Sequence, residues 1–192
     1  MDFVKSISQT KLLRFFFIAL IGSIVLAISS KIKIPFYPVP MTMQTLIVLS
    51  IGVIFGWRIG LATIALYLFE GILGLPVFAG TPEQGVGLVY FTGPTMGYLI
   101  GFLPAVYFSG LLKVNYKYNL FVRLILNFLF FAFSVSFIYI FGLIWLSKFV
   151  PMEQLWMFGV KPFLLAELFK VLILSVSVTI FNKDVLSWRS FR

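Results

Sequence analysis

The chain has 192 residues, 61% of them hydrophobic and 11% charged, with a formal net charge of +9 and a mean hydropathy of +1.08, whereas a soluble domain carries roughly 45–50% apolar and 25% charged residues. A membrane-crossing helix takes about 20 residues, so this length suits one helical bundle and leaves no room for a second globular domain. Cysteine and histidine are absent, which excludes disulfides, thiol nucleophiles, imidazole bases and the usual zinc sites, and the basic residues sit singly between apolar runs rather than in the stripe that nucleic-acid binding needs.

Hydropathy predicts an all-α polytopic membrane protein, a compact bundle of six transmembrane helices forming a single domain over 1–192. The first helix is expected over 12–29. It follows Lys5, Lys11 and Arg14 as a signal peptide would, but it is long for such a segment and is read as an uncleaved membrane helix. Ala19, Ser23 and Ala27 lie four apart along it, a face that suits packing within the bundle or contact with another membrane subunit. Pro35, Pro38 and Pro40 then predict a stiff, non-helical connection. The second helix, 43–56, is short for a ~30 Å hydrocarbon core and is expected to join closely to the third, 58–75. Glu70 is an acid in the apolar third helix, with Lys31, Lys33 and Lys170 as conceivable partners or exposure at the helix end as the alternative. The connection from Pro76 to Thr92 mixes Gly80, Gly85 and Gly87 with Phe78, Tyr90 and Phe91, a composition that suits a loop covering a pocket as well as a plain solvated link.

The fourth helix, 93–112, begins with Gly93, Gly97 and Gly101 at four-residue spacing, which favours close helix packing. The fifth, 119–147, is long enough to tilt. The sixth spans 162–182. Of the fifteen lysines and arginines, ten (Lys5, Lys11, Arg14, Arg58, Lys113, Lys117, Arg123, Lys183, Arg189, Arg192) fall on one side of this layout. Four (Lys31, Lys33, Lys148, Lys161) fall on the other, which predicts cytoplasmic N- and C-termini. Trp57, Trp145 and Trp188 stand near segment ends, where amphipathic rings favour the headgroup region, and Trp156 stands in an outer connection.

The fifteenth basic residue, Lys170, lies inside the sixth helix, three residues after Glu167, so the two opposite charges share one helix face. An ionised side chain at the centre of a spanning helix costs roughly 2.5–3.5 kcal/mol on insertion scales, and such residues usually face the bundle interior on a functional path. The pair therefore reads as the polar lining of a pocket near the outer face, or as an interfacial ion pair within snorkelling reach of water.

Three strings, Val39-Pro-Met-Thr-Met-Gln-Thr-Leu46, Tyr67-Leu-Phe-Glu-Gly-Ile-Leu-Gly-Leu-Pro-Val-Phe-Ala79 and Gly93-Pro-Thr-Met-Gly-Tyr-Leu-Ile-Gly-Phe102, together resemble the BioY family of biotin transporters, the substrate-binding S components of energy-coupling-factor (ECF) importers. The resemblance implies a six-helix subunit of the bacterial inner membrane that captures biotin beneath the loops after the first and third helices. It implies substrate contacts from Glu167 and Lys170, where aspartate would be expected at the acidic place. The ureido group of biotin offers two N–H donors and a carbonyl, which a carboxylate and an ammonium complement. Phe78, Tyr90 and Phe91 are expected against the apolar thiophane ring and valerate chain, with Gln44 orienting a polar end.

No cofactor is implied: biotin is the transported ligand. The chain holds no Walker A string, so it has no phosphate cradle of its own. The resemblance implies energy from two cytoplasmic ATPases through a transmembrane scaffold subunit, with the Ala19, Ser23 and Ala27 face as its expected contact; membrane lipid surrounds the rest, and no nucleic acid is implied. Two other readings stay open. One is the same architecture for riboflavin or thiamin. The second is a membrane-embedded lipid-modifying enzyme with Glu167 as general base, against which stand the missing histidine, cysteine and nucleophile motif.

Overall fold

The computed structural model describes residues 2–34, 39, 41–83, 85–112 and 117–181, with side chains from residue 12 onward except that of Ile34. Pro35, Pro38, Pro40, Lys113, Lys183, Trp188, Arg189 and Arg192 lie outside the described residues, as do the side chains of Lys5 and Lys11. The long helices are α1 (Asp2–Lys31), α2 (Gln44–Ile72), α4 (Met96–Leu111), α5 (Leu120–Leu146) and α7 (Leu164–Ile180), with short helices α3 (Leu88–Phe91) and α6 (Leu155–Gly159). Two-residue strands β1 (Lys33–Ile34) and β2 (Met41–Thr42) pair antiparallel, Lys33 opposite Thr42 and Ile34 opposite Met41. The helix of α1 begins well before the apolar run at residue 12, because hydropathy marks the lipid-crossing part of a helix rather than its ends.

The 29 residues of α2 are not one straight rod. Gly56 has φ 81° and ψ 169°, a region of backbone space that is essentially open to glycine alone. The amide of Gln44 donates to the hydroxyl of Tyr67 at 2.6 Å, although 23 residues of straight helix would separate them by about 34 Å. The chain therefore reverses at Gly56 into two antiparallel arms, 44–55 and 57–72, of about 18 and 24 Å. This is the close joint expected from the shortness of the second apolar run.

Packing follows chain order. Helix α1 lies on α2, α2 on α4, α4 on α5, and α5 on α7, which also touches α2. The approach of α4 to α5 is set by Gly97 and Gly101, where a Cβ would stand 2.4 Å from the Phe141 carbonyl oxygen and 2.6 Å from the Cα of Ile138. With no hydrophobic gradient between lipid and helix, such backbone proximity and the dispersion contacts it permits hold membrane helices together. Tyr67, Phe78, Phe131, Leu26 and Leu49 are fully buried, while Phe16, Phe17 and Ile21 on α1, Leu129 and Ile144 on α5, and Leu165 and Ile173 on α7 are exposed. A surface of that kind suits acyl chains as solvent. Residues Leu12–Lys31 and Leu120–Leu146 are each long and apolar enough to cross a membrane, and α6 joins α7 through a bend of 47°. Lys148 lies 4.0 Å from the Trp145 ring centroid and Arg58 lies 5.1 Å from that of Trp57, so each of these end-of-segment tryptophans carries a cation on its face.

Candidate functional site

The first turns of α2, α4 and α7 converge at one end of the bundle, and their partial positive charge favours an anionic group there. Thr42 enters from β2, Gln44 and Thr45 from the start of α2, Thr95, Tyr98 and Leu99 from the start of α4, and Glu167 from the first turn of α7. With Tyr90, Phe102, Ile138, Tyr139 and Phe163 they line a cavity of about 60 Å³, several times the roughly 10–15 Å³ that a water needs. Its wall is apolar and aromatic with a few polar groups, the usual make-up of a small-molecule site.

The polar centre is a buried ion pair. Lys170 Nζ and Glu167 Oε1 are 2.6 Å apart, with 6% and 10% of their side chains exposed. Lys170 also donates to the Thr42 carbonyl at 2.6 Å and to Thr45 Oγ1 at 3.1 Å, so all three ammonium hydrogens are engaged. Thr45 passes its own hydrogen to Glu167 Oε1 at 2.8 Å. Glu167 Oε2 is buried with no hydrogen-bond partner among the described residues. A buried acceptor left in that state costs about 1–3 kcal/mol, more when charged, which a donor from a ligand would relieve.

The other expected residues divide into two layers. Gln44 and Tyr90 line the cavity. Gln44 is fixed by its bond to Tyr67, whose hydroxyl donates to the Val77 carbonyl at 3.0 Å. Tyr90 donates to the Ala79 carbonyl, and burial holds its phenol above the ordinary value, so it stays a neutral donor. Phe78 and Phe91 stand behind them: Phe78 stacks on Tyr90 at 4.8 Å and meets Tyr67 and Phe91 edge-on at 5.2 and 5.4 Å. Neither Phe78, Phe91 nor Lys170 is part of the cavity wall. Phe78 sits in the space that Gly71 leaves open.

The loop after α2 is tied to the end of α1. Lys31 Nζ donates to the Phe78 carbonyl at 3.0 Å and to the carbonyl and hydroxyl of Thr81 at 3.2 and 3.0 Å, and Ser30 donates to the Val77 carbonyl at 2.8 Å. The loop is thus a fixed cover that delivers Ala79 to the cavity, and not a plain solvated link. Glu70 takes none of the lysines as partner; its Oε1 accepts from Ser23 at 2.8 Å.

That bond corrects one expectation. Ala19 and Ser23 are 4% and 0% exposed, and a Cβ on neighbouring Gly22 would meet the side chain of Thr63 at 2.7 Å. Together with half-buried Ala27 they form the face on which α1 packs against α2, so the small-residue stripe serves this chain's own bundle and does not stand open to a partner subunit.

A model of the BioY family matches residues 5–186. The chain belongs to the BioY family. The curated protein named "Probable biotin transporter BioY" of Pyrococcus horikoshii is 33% identical over 75% of this chain and 81% of its own length. "Biotin transporter BioY2" of Lactococcus lactis subsp. cremoris is 30% identical over 88% of this chain and 89% of its own. A crystal structure of the S-component for biotin from an ECF-type ABC transporter covers 88% of the chain with a TM-score of 0.69 at 24% identity, so this BioY-family chain has the same fold.

Sequence reading of this BioY-family site passed over Thr42 and Thr45. Both stood inside the quoted Val39–Leu46 string, but a threonine in an apolar run gives no sign of a partner 122 or more residues away. The signal that was available is the charge pair itself, since a buried ammonium requires three acceptors and one carboxylate cannot fill them.

Proposed function

We propose that the chain is the substrate-binding membrane subunit for biotin uptake, a transporter subunit and not an enzyme. The observation that carries this is Glu167 on the wall of a largely apolar and aromatic cavity, its buried Oε2 without a hydrogen-bond partner among the described residues. A ureido N–H is the complementary donor, and a donor to a carboxylate makes a charge-assisted bond, roughly twice as strong as a neutral one. The thiophane ring and valerate chain would lie along Tyr90, Tyr98, Phe102 and Ile138, and Gln44 would orient a polar end. Family membership and the names of the curated relatives support biotin over riboflavin or thiamin.

The subunit would cross the bacterial inner membrane six times, through α1, the two arms of α2, α4, α5 and α7, with both termini in the cytoplasm. The reversal at Gly56 supports the count, because the arms of α2 are then separate crossings, and the ten-to-four bias of basic residues supports the orientation. Energy would come from a transmembrane scaffold subunit and two cytoplasmic ATPases, as the likeness to an S-component of an ECF-type transporter suggests. The test is mass spectrometry of the protein purified from biotin-containing medium: intact biotin should be released on denaturation, and another vitamin in its place would overturn the reading. Co-purification of ATPase subunits from native membranes tests the partners.

A further inference from the structure

We infer that Thr45 is the positioning residue of this site: it holds the Glu167 carboxylate so that a single oxygen is left for the ligand, and thereby selects ligands that bring an N–H donor. The inference rests on the biotin reading and deepens it.

A hydroxyl within an apolar helix ordinarily bonds the carbonyl four residues back. Ser50, Thr63, Ser134 and Ser175 all do so here. Thr45 does not. At the start of α2 its hydroxyl is turned across the bundle to α7, where it donates to Glu167 Oε1 and accepts from Lys170. Thr45 and Lys170 thus converge on the same carboxylate oxygen, and the buried Oε2 has no donor among the described residues. Lys170, which is not on the cavity wall, has its remaining hydrogen taken by the Thr42 carbonyl, so the ammonium sets the charge balance while Thr45 fixes which oxygen is left for the ligand. A threonine side chain has one significant rotor and one hydrogen to give, so its geometry is narrow and its removal leaves Oε1 with the ammonium alone. A site arranged around a required donor rejects analogues that lack it, because its buried acceptor is then left unpaired.

The test is equilibrium titration of the detergent-purified full chain with biotin and with biotin methylated on both ureido nitrogens. Thr45→Val keeps the side-chain shape without the hydroxyl and should weaken biotin binding by about 10- to 100-fold, the range for a hydrogen bond to a charged group, and narrow the gap between the two ligands. Thr45→Ser should stay within about threefold of the wild type, since it restores the donor. In a Glu167→Gln background Thr45→Val should add less than about twofold, because its effect passes through that carboxylate. Wild-type affinity in Thr45→Val, or independent multiplicative losses in the double variant, would overturn the inference while leaving the biotin reading intact. Failure of the wild type to bind biotin would overturn both. If Thr45→Val is not recovered folded, Thr45→Ala takes its place in the same cycle, with the same two outcomes.

Discussion

At the residue scale the buried pair joins Glu167, on the cavity wall, to a lysine that is not part of that wall. With all three donors of Lys170 engaged, its removal leaves a buried carboxylate uncompensated, and breaking a buried pair in this way costs about 3–5 kcal/mol. Lys170→Met should lower the Tm of the purified protein and reduce biotin affinity together; an unchanged Tm and an unchanged affinity would show that the pair is incidental. Glu167 and Lys170 were legible in the sequence because ionisable residues three apart in an apolar helix have few bland explanations. Gln44 and Tyr90 were reached through a resemblance, and the structure puts both on the cavity. Phe78 and Phe91, expected against the ligand, stand behind Tyr90 here, and an aromatic residue in a loop motif reads the same whether it forms the wall or props it. Glu70 shows the opposite limit: its partner Ser23 carries no charge by which it could have been found.

At the element scale the reversal of α2 is the decisive feature. A Cβ at Gly56 would meet nothing within 4 Å, so the demand for glycine there comes from the backbone angle alone. Gly56→Ala is expected to destabilise by about 1–3 kcal/mol, read as a lower Tm without loss of the binding stoichiometry; no change would mean that the joint adopts another conformation. Two apolar runs, 43–56 and 58–75, were separable by hydropathy because Trp57 and Arg58 interrupt them, whereas the short helices α3 and α6 carry too few residues for any periodicity to register. The cover loop is the second element with a role of its own. Lys31 is exposed, so its three bonds to Phe78 and Thr81 are partly screened by solvent. Lys31→Met should speed biotin release by about threefold to tenfold in a chase experiment, and a rate equal to that of the wild type would remove the loop from the control of release.

At the scale of the whole molecule the fold is a lipid-solvated bundle with a buried ion pair and a cavity where three helix N-termini meet. Its class was legible from composition, because apolar residues this abundant cannot all be buried in a chain of 192 residues and must meet lipid. The use of the small-residue face on α1 was not legible, since close packing within a bundle and between subunits draws on the same residues. The natural absence of cysteine makes topology directly measurable. Glu83→Cys in the cover loop should react with an impermeant maleimide on intact cells, and Lys117→Cys, before α5, only after permeabilisation; the reverse pattern would invert the orientation. The most direct test of the account is titration of the purified wild-type protein with biotin, riboflavin and thiamin in parallel. Saturable one-to-one binding of biotin alone is the expected result, and equal or stronger binding of either other vitamin, or no binding of biotin, would contradict it.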